Sequence, residues 1–180
     1  MQYWIDERDR IAAVDDEWLS FAAANGAPEL TPESVRGRPL VEFISDPTTA
    51  ALWEELLRRA REGRPLSIPI RCDAPRARRR LDLALEPDGP LLRVTSTTLA
   101  EEPRATVRLL ETSRPSRGRH VVACSWCRRF EIRPREWVEV EDFVQSSDLF
   151  DVPVLPPVSH GICAECADWV KAASRPERLH

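Results

Sequence analysis

The spacing of apolar side chains changes twice along the chain, and the changes mark out its elements. Tyr3-Trp-Ile-Asp and Arg10-Ile-Ala-Ala-Val14 predict two short strands joined by the charged turn Asp6-Glu-Arg-Asp9. Asp15 then supplies a helix N-cap, Trp18, Leu19, Phe21 and Ala22 form an apolar stripe, and Asn25-Gly26 is a C-terminal stop. A longer helix opens at Asp46-Pro47, a cap followed by proline in the first turn. It carries Leu52, Trp53, Leu56, Leu57 and Ala60 at helical spacing as far as Gly63. Beyond Gly63 the period falls to two: Leu66, Ile68, Ile70 and Cys72, then Leu81, Leu83 and Leu85, then Leu92 and Val94, and finally Val107 and Leu109. Pro87-Asp-Gly89 predicts the turn of one hairpin. Strands, then helices, then an antiparallel meander make an α+β fold.

A length of 180 residues admits one large domain or two small ones, and 42% hydrophobic content suits a globular chain. The stretch Glu111-Thr-Ser-Arg-Pro-Ser-Arg-Gly-Arg119 has no large apolar side chain and is punctuated by proline and glycine. It predicts a first domain over 1–112, a linker over 113–119, a second domain over 120–175 and a disordered tail over 176–180. The net charge of -4 argues against a protein that binds by neutralising phosphates, so nucleic acid is not an expected partner. Two local charge clusters stand out. Arg76-Ala-Arg78-Arg79-Arg80 reads as a solvated turn between strands or as a contact for an acidic surface. Residues 136–158 hold Glu136, Glu139, Glu141, Asp142, Asp148 and Asp151 with no Lys or Arg, and read as a solubilising face or a docking patch for a basic partner. No apolar run approaches the roughly eighteen residues of a membrane span, and Met-Gln-Tyr-Trp-Ile-Asp is no export signal. The expectation is a cytoplasmic chain without membrane insertion.

Candidate chemistry is concentrated in Cys124-Ser-Trp-Cys127 and Cys163-Ala-Glu-Cys166, the second preceded by His160-Gly161. Each short segment aims two sulfurs at one point, and the 35 residues between the pairs let the chain fold back around one tetrahedral ion. Buried dithiols or a redox-active Cys-X-X-Cys would also pair cysteines, but pairing twice within the last third favours metal. A disulfide framework would leave Cys72 odd. The expected ligands are therefore Cys124, Cys127, Cys163 and Cys166 around a structural zinc. A module of roughly sixty residues buries little core, and structural zinc contributes on the order of 10 to 16 kcal/mol of apparent binding energy to folding. Four thiolates on Zn²⁺ leave a net negative site. Arg128, Arg129 and His160 are expected to support it by hydrogen bonding, with His160 as an alternative ligand in place of one cysteine. Trp126, Phe130, Trp137 and Trp169 are expected to form core around it, and any one left exposed there would suggest a binding surface.

Two resemblances extend this reading. Over residues 1 to 110, the segments Trp4-Ile-Asp-Glu-Arg-Asp-Arg-Ile11, Val14-Asp15 and Val35-Arg-Gly-Arg-Pro-Leu-Val-Glu-Phe-Ile44 resemble a Per-Arnt-Sim (PAS) sensory domain. That resemblance implies a five-stranded antiparallel sheet holding a pocket beneath short helices, and dimerisation as a route for passing a signal. Over residues 120 to 172, Val122-Ala-Cys-Ser-Trp-Cys-Arg-Arg129, Trp137, Glu141 and Ser159-His-Gly-Ile-Cys-Ala-Glu-Cys166 are similar to a cysteine-rich module that follows PAS domains in bacterial signalling proteins. The chain departs from that pattern where Ser147-Asp-Leu-Phe-Asp-Val-Pro-Val-Leu-Pro-Pro-Val158 is longer and rich in proline. A small zinc-ribbon-like C-terminal module is what this likeness implies.

Enzymatic function is not expected. Four cysteines close a coordination sphere, and no His-Glu-X-X-His, phosphate loop or Gly-X-Ser-X-Gly elbow occurs. No histidine precedes residue 120 to hold haem, and Cys72 lies in a predicted strand, so neither haem nor flavin is expected. Ile11, Val14, Phe43, Ile70, Leu83 and Val94 would line a pocket for a small apolar ligand or fill a core. The chain has no room for a kinase, cyclase or DNA-reading output domain, so the expected partner is another protein of a signalling pathway, reached through a homodimer or an interaction surface. The main alternative is a thiol redox sensor that releases zinc on oxidation.

Overall fold

The computed structural model describes residues 1–44, 46–111, 114–149 and 152–173. Its first sheet is built from β1 (Gln2–Ile5), β2 (Ile11–Val14), β3 (Leu66–Arg71), β4 (Ala77–Asp88) and β5 (Leu91–Pro103). All neighbours are antiparallel and the order is β2-β1-β5-β4-β3. Between β2 and β3 stand α1 (Asp16–Ala24), α2 (Pro32–Val35), a 3₁₀ turn over Leu40–Phe43, and α3 (Pro47–Arg61). Both predicted caps form: Asp15 accepts from the Trp18 N–H at 2.6 Å, and Asp46 accepts from the Thr49 N–H at 2.6 Å. Each cap is worth about 1 kcal/mol.

Register decides which side chains share a face. Leu66, Ile68 and Ile70 stand opposite Leu85, Leu83 and Leu81, and Leu85 in turn opposite Val94. On that apolar face α3 buries Leu52, Leu56, Leu57 and Ala60, each large side chain stabilising by about 1.5–3 kcal/mol. The hairpin between β4 and β5 turns on Gly89 and Pro90. Gly89 has φ 60°, so positive φ at the first central position followed by proline matches a type II′ turn. Pro87 and Asp88, expected in the turn, are the last residues of β4.

Two expectations are corrected here, and one left open between pocket and core is answered in part. Val107 and Leu109 do not extend the sheet; Arg108–Leu110 is a 3₁₀ turn that places both side chains in a second core. Burial, not strand alternation, explains their spacing. Arg78, Arg79 and Arg80 are not a turn but the start of β4, where Arg79 faces Glu101 across the ladder and pairs with it at 2.8 Å. Of the six residues read as lining a pocket or filling a core, Ile11, Leu83 and Val94 are buried as core, whereas Phe43 is exposed beneath the Arg38 guanidinium.

The second sheet contains β6 (Val121–Cys124), β7 (Phe130–Arg133), β8 (Glu136–Val138) and β9 (Val158–Gly161), in the order β8-β7-β6-β9. β6 and β9 are parallel, and the crossover between them holds α4 (Val140–Ser146). The last element is α5 (Ala164–Ala173). The stretch over 114–119 carries neither helix nor strand, yet it is tied down: the Arg114 guanidinium donates to the carbonyls of Leu155, Pro156 and Leu109. Thr112, Ser113 and the tail expected over 176–180 lie outside the described residues.

Both hydrophobic cores run across this stretch. Cys124, Trp126, Cys163 and Val170 share one core with Leu52, Leu56 and Ile68, while Val107 and Leu109 complete the other with Phe130, Phe143 and Leu155. The seam also carries charge. Arg71 forks onto Glu139 at 2.7 and 2.9 Å and pairs with the fully buried Asp73; Arg104 bridges Asp73 at 3.2 Å and Glu141 at 3.3 Å; Arg78 reaches Glu141 at 3.0 Å. Part of the acidic stretch is thus neither a free face nor a patch for a foreign partner, because Glu139 and Glu141 dock on arginines of the same chain.

Candidate metal centre

Strand pairing explains why two distant dithiols meet. Cys124 ends β6, Gly161 ends β9, and the two are register partners in parallel strands, so both chains leave the sheet at the same end. After Cys124 the chain makes a tight knuckle. Arg128 N–H donates to the Cys124 carbonyl at 3.0 Å, Cys124 N–H to the Arg129 carbonyl at 2.8 Å, and Ser125 N–H to the Gly161 carbonyl at 2.8 Å. Gly161 lets the two strands approach closely: a Cβ there would stand 3.1 Å from Val122 Cγ1, a contact that Val122 would have to yield to. After Gly161 the chain enters α5, with Cys163 immediately before the helix and Cys166 in its first turn. The second pair therefore sits at a helix N-terminus and not on a second loop, an arrangement unlike two matched hairpin knuckles. That position favours negative charge on sulfur.

The four Sγ atoms lie within 4.8 Å of one another, and Cys127 Sγ stands 3.8 Å from Cys163 Sγ. A tetrahedral ion with metal–sulfur bonds of about 2.3 Å needs edges of about 3.8 Å. The cluster thus has metal-binding dimensions, and all five cysteines are free thiols. Backbone amides already point at sulfur: Cys163 N–H donates to Cys124 Sγ and Cys166 N–H to Cys163 Sγ, both at 3.4 Å.

Without a cation the cluster shares very few negative charges. Hydrogen bonding from Cys124, then from Cys166, holds the Cys127 thiol far below its ordinary range, and the Arg129 guanidinium adds to this. Cys124, hydrogen-bonded to Cys127, is pushed up to about 11, and Cys166 is raised by Cys124 and Cys127 in turn. Four adjacent sulfurs cannot all ionise unless a positive ion joins them.

The expected supporting residues divide. Arg129 donates from Nε to Cys127 Sγ at 3.3 Å and from Nη2 to Cys163 Sγ at 3.7 Å, and it is braced by Glu165. Glu165 was not singled out from the sequence, although its place between Cys163 and Cys166 was the available signal. Arg128 makes no hydrogen bond to the four sulfurs; its charge acts on the separate Cys72 thiol. His160 pairs with Ala123 on β9, is exposed, and is not part of the four-sulfur group. Cys72 is also apart, half-buried beyond the end of β3, with burial raising its thiol pKa.

Of the four aromatic residues expected around the site, Trp126 is buried against Trp53 with ring centroids 6.0 Å apart. The Arg71 N–H of edge strand β3 donates to the Trp126 carbonyl at 2.8 Å, so the knuckle is stitched to the first sheet. Phe130 belongs to the other core, stacked on Phe143. Trp137 packs partly buried against the shared core, and Trp169 remains 39% exposed. Trp169, Leu99 and Pro69 line an open groove of about 580 Å³ beside Cys127 and Cys166.

No protein-family model, curated protein or solved structure matches the chain. Among the described residues no helix is long and apolar enough to cross a membrane.

Proposed function

We propose that the chain is a non-enzymatic bacterial regulatory protein in which a PAS-like sensory or dimerisation domain is coupled to a cysteine module held by one structural zinc. The observation that carries this reading is the convergence of four sulfurs, two from the knuckle at the end of β6 and two from the entry into α5, on a point inside a core shared with the first sheet. Cys124, Cys127, Cys163 and Cys166 would hold the ion, and a four-sulfur set leaves no open position for a reacting water. Zinc suits the donor set because soft thiolates in tetrahedral array select it or an iron–sulfur centre. The PAS-like reading is supported by the antiparallel order β2-β1-β5-β4-β3 with short helices between β2 and β3. Signalling output then lies in a protein partner, and exposed Trp169 and Leu99 offer apolar contact area for one.

Metal analysis of protein purified under reducing conditions without added zinc is expected to give about one equivalent per chain. Cys124→Ser or Cys163→Ser should lower both metal content and thermal stability. Folded, fully reduced protein with no metal refutes the reading.

A second reading, a thiol redox sensor, is favoured by one feature: Cys127 and Cys166 are only half-buried and border the open groove, and Cys127 carries the lowered pKa. Two metal-bound thiolates would pass two electrons to peroxide, which takes up two protons from water to leave as two waters, giving a disulfide and releasing the ion. Zinc loss driven by peroxide and reversed by thioredoxin supports it; thiols inert to peroxide exclude it.

A further inference from the structure

The four sulfurs of the cluster differ in access and in the donors that meet them. Cys124 and Cys163 are buried, whereas Cys127 and Cys166 are half-buried and line the open groove of about 580 Å³. Hydrogen bonds then separate the two that can be reached. Cys127 Sγ accepts from Arg129 Nε at 3.3 Å; of the buried pair, Cys124 Sγ accepts from the Cys163 N–H and Cys163 Sγ from the Cys166 N–H, both at 3.4 Å. Among the described residues no N–H group donates to Cys166 Sγ. A donor draws electron density from a thiolate and lowers its basicity, and the nucleophilicity of a thiolate falls with its basicity. With all four sulfurs ionised around a metal, Cys166 is therefore the one that is both reachable and most nucleophilic.

The groove decides which oxidant gains by approaching it. Beside the two sulfurs it presents Pro69, Leu99 and Trp169, all three exposed, Leu99 by 64%. Of the charged groups on its wall, Arg71 is held by Asp73 and Glu139 and Glu165 by Arg129, while the exposed Arg80 keeps its charge in water. Apolar surface next to a nucleophile favours an oxidant that brings hydrocarbon to cover it, and hydrogen peroxide has none. We propose that the groove admits organic hydroperoxides with an apolar body, and that Cys166 is the sulfur they oxidise first, with Cys127 closing the disulfide. This names the oxidant of the redox reading and rests on that reading. Cys166 Sγ attacks the terminal oxygen of R–O–O–H and the O–O bond breaks. The alkoxide takes a proton from water and leaves as the alcohol, and Cys166 is left as a sulfenic acid. Cys127 Sγ then displaces hydroxide, which is protonated to water, and the S–S bond forms. Two electrons pass from the two sulfurs to the hydroperoxide.

The reduced, metal-loaded full chain is mixed with cumene hydroperoxide or with hydrogen peroxide, and zinc release is followed with a chromophoric chelator. Each rate is divided by that oxidant's rate with free cysteine. The normalised rate for cumene hydroperoxide is expected to be at least about tenfold the higher, the factor that covering roughly 60 Å² of hydrocarbon gives. Leu99→Ser and Trp169→Ala should each lower that preference by about threefold, as loss of half the contact implies. Leu99 is an exposed side chain, so its variant keeps the test decisive if Trp169→Ala misfolds. Dimedone present during oxidation by less than one equivalent traps the sulfenic acid, and peptide mass mapping should place the adduct on Cys166. Without dimedone the disulfide should join Cys127 to Cys166. Equal normalised rates, an unchanged preference in folded Leu99→Ser, a first adduct on any other cysteine, or a disulfide that omits either residue overturns the proposal; zinc release by hydrogen peroxide in the same samples would leave the redox reading standing. Thiols inert to both oxidants would remove the redox reading and this proposal together.

Discussion

Replacing Asp73 by Asn asks how strongly the charge network behind the seam is anchored, since Asp73 holds Arg71 and Arg104, which in turn meet Glu139 and Glu141 across it. The Asp73 side chain is fully buried and serves two arginines: Arg71 donates from Nε at 3.2 Å, and Arg104, whose side chain is 8% exposed, from Nη1 at 3.2 Å. An amide keeps the shape and deletes the charge. Removing one member of a buried ion pair costs about 3–5 kcal/mol, because the other charge stays buried. Here the arginines keep partial compensation, since Arg71 retains Glu139 at 2.7 Å and Arg104 retains Glu141 at 3.3 Å. Those glutamates are about one-third exposed or more, so their attraction is partly screened. The expected loss is therefore about 2–3 kcal/mol, a large share of a typical total of about 5–15 kcal/mol. Urea unfolding of the metal-loaded protein measures it, with an unchanged m-value showing that the unfolded state is not altered. Combining Asp73→Asn with Glu139→Gln should give non-additivity of about 1 kcal/mol, because both act through Arg71. A loss for Asp73→Asn below about 0.5 kcal/mol, the level of an ordinary surface substitution, together with strict additivity, would refute the claim that this network holds the seam.

Gly161→Ala should destabilise the protein by about 1–3 kcal/mol, since the new methyl meets Val122 Cγ1 at 3.1 Å where β6 and β9 approach; thermal unfolding checks it, and an unchanged Tm would show that the two strands part freely. Arg129→Gln should lower metal affinity by about 10- to 100-fold with the four cysteines intact, as loss of a sulfur-bonding support does; competition with a chromophoric chelator measures the change, and equal affinity would leave Arg129 without a role at the sulfurs. At Glu141, burial pushes the carboxyl up, but its own backbone N–H and the guanidinium groups of Arg78 and Arg104 outweigh this and hold it below the ordinary range. A depressed carboxyl contributes stability that is complete above the ordinary glutamate value of about 4.3 and is lost as pH falls through the folded value. The stability gap between the native chain and Glu141→Gln should accordingly close on acidification, metal loss being common to both; parallel pH profiles would refute the assignment.

What could be read from the chain follows from how local each signal is. The caps at Asp15 and Asp46, the stripe Leu52-Leu56-Leu57-Ala60 and the alternation from Leu66 to Val94 are decided within a few residues, and each formed as expected. The cysteine set was legible because two short spacings repeat. Its geometry was not, because it depends on parallel pairing of β6 with β9, a contact between segments far apart in sequence. Val107 and Leu109 misled for a related reason: alternate burial in a 3₁₀ turn looks like a strand when only two apolar residues are available. The charge clusters were read separately, and only the fold shows that Arg78 and Glu141 answer one another. Arg128 was grouped with Arg129 by adjacency, whereas the left-handed knuckle turns one side chain to sulfur and leaves the other lining a separate cleft.

The shared core determines where a change at the sulfurs is felt. Trp126 lies between two cysteines of the cluster, yet its ring is buried against Trp53 of α3 and its carbonyl accepts from the edge of β3. Burial of one such aromatic removes about 150–250 Å² from water, worth at most about 4–6 kcal/mol at 25 cal/mol per Å². That term belongs equally to the knuckle and to the first sheet. The stretch over 114–119 is tied instead to the second core, through Arg114 on the carbonyls of Leu109, Leu155 and Pro156. If the sulfurs lose their common ion and the knuckle opens, Trp126 leaves Trp53 and the Arg71 amide together, and α3 loses apolar cover at Leu52 and Leu56.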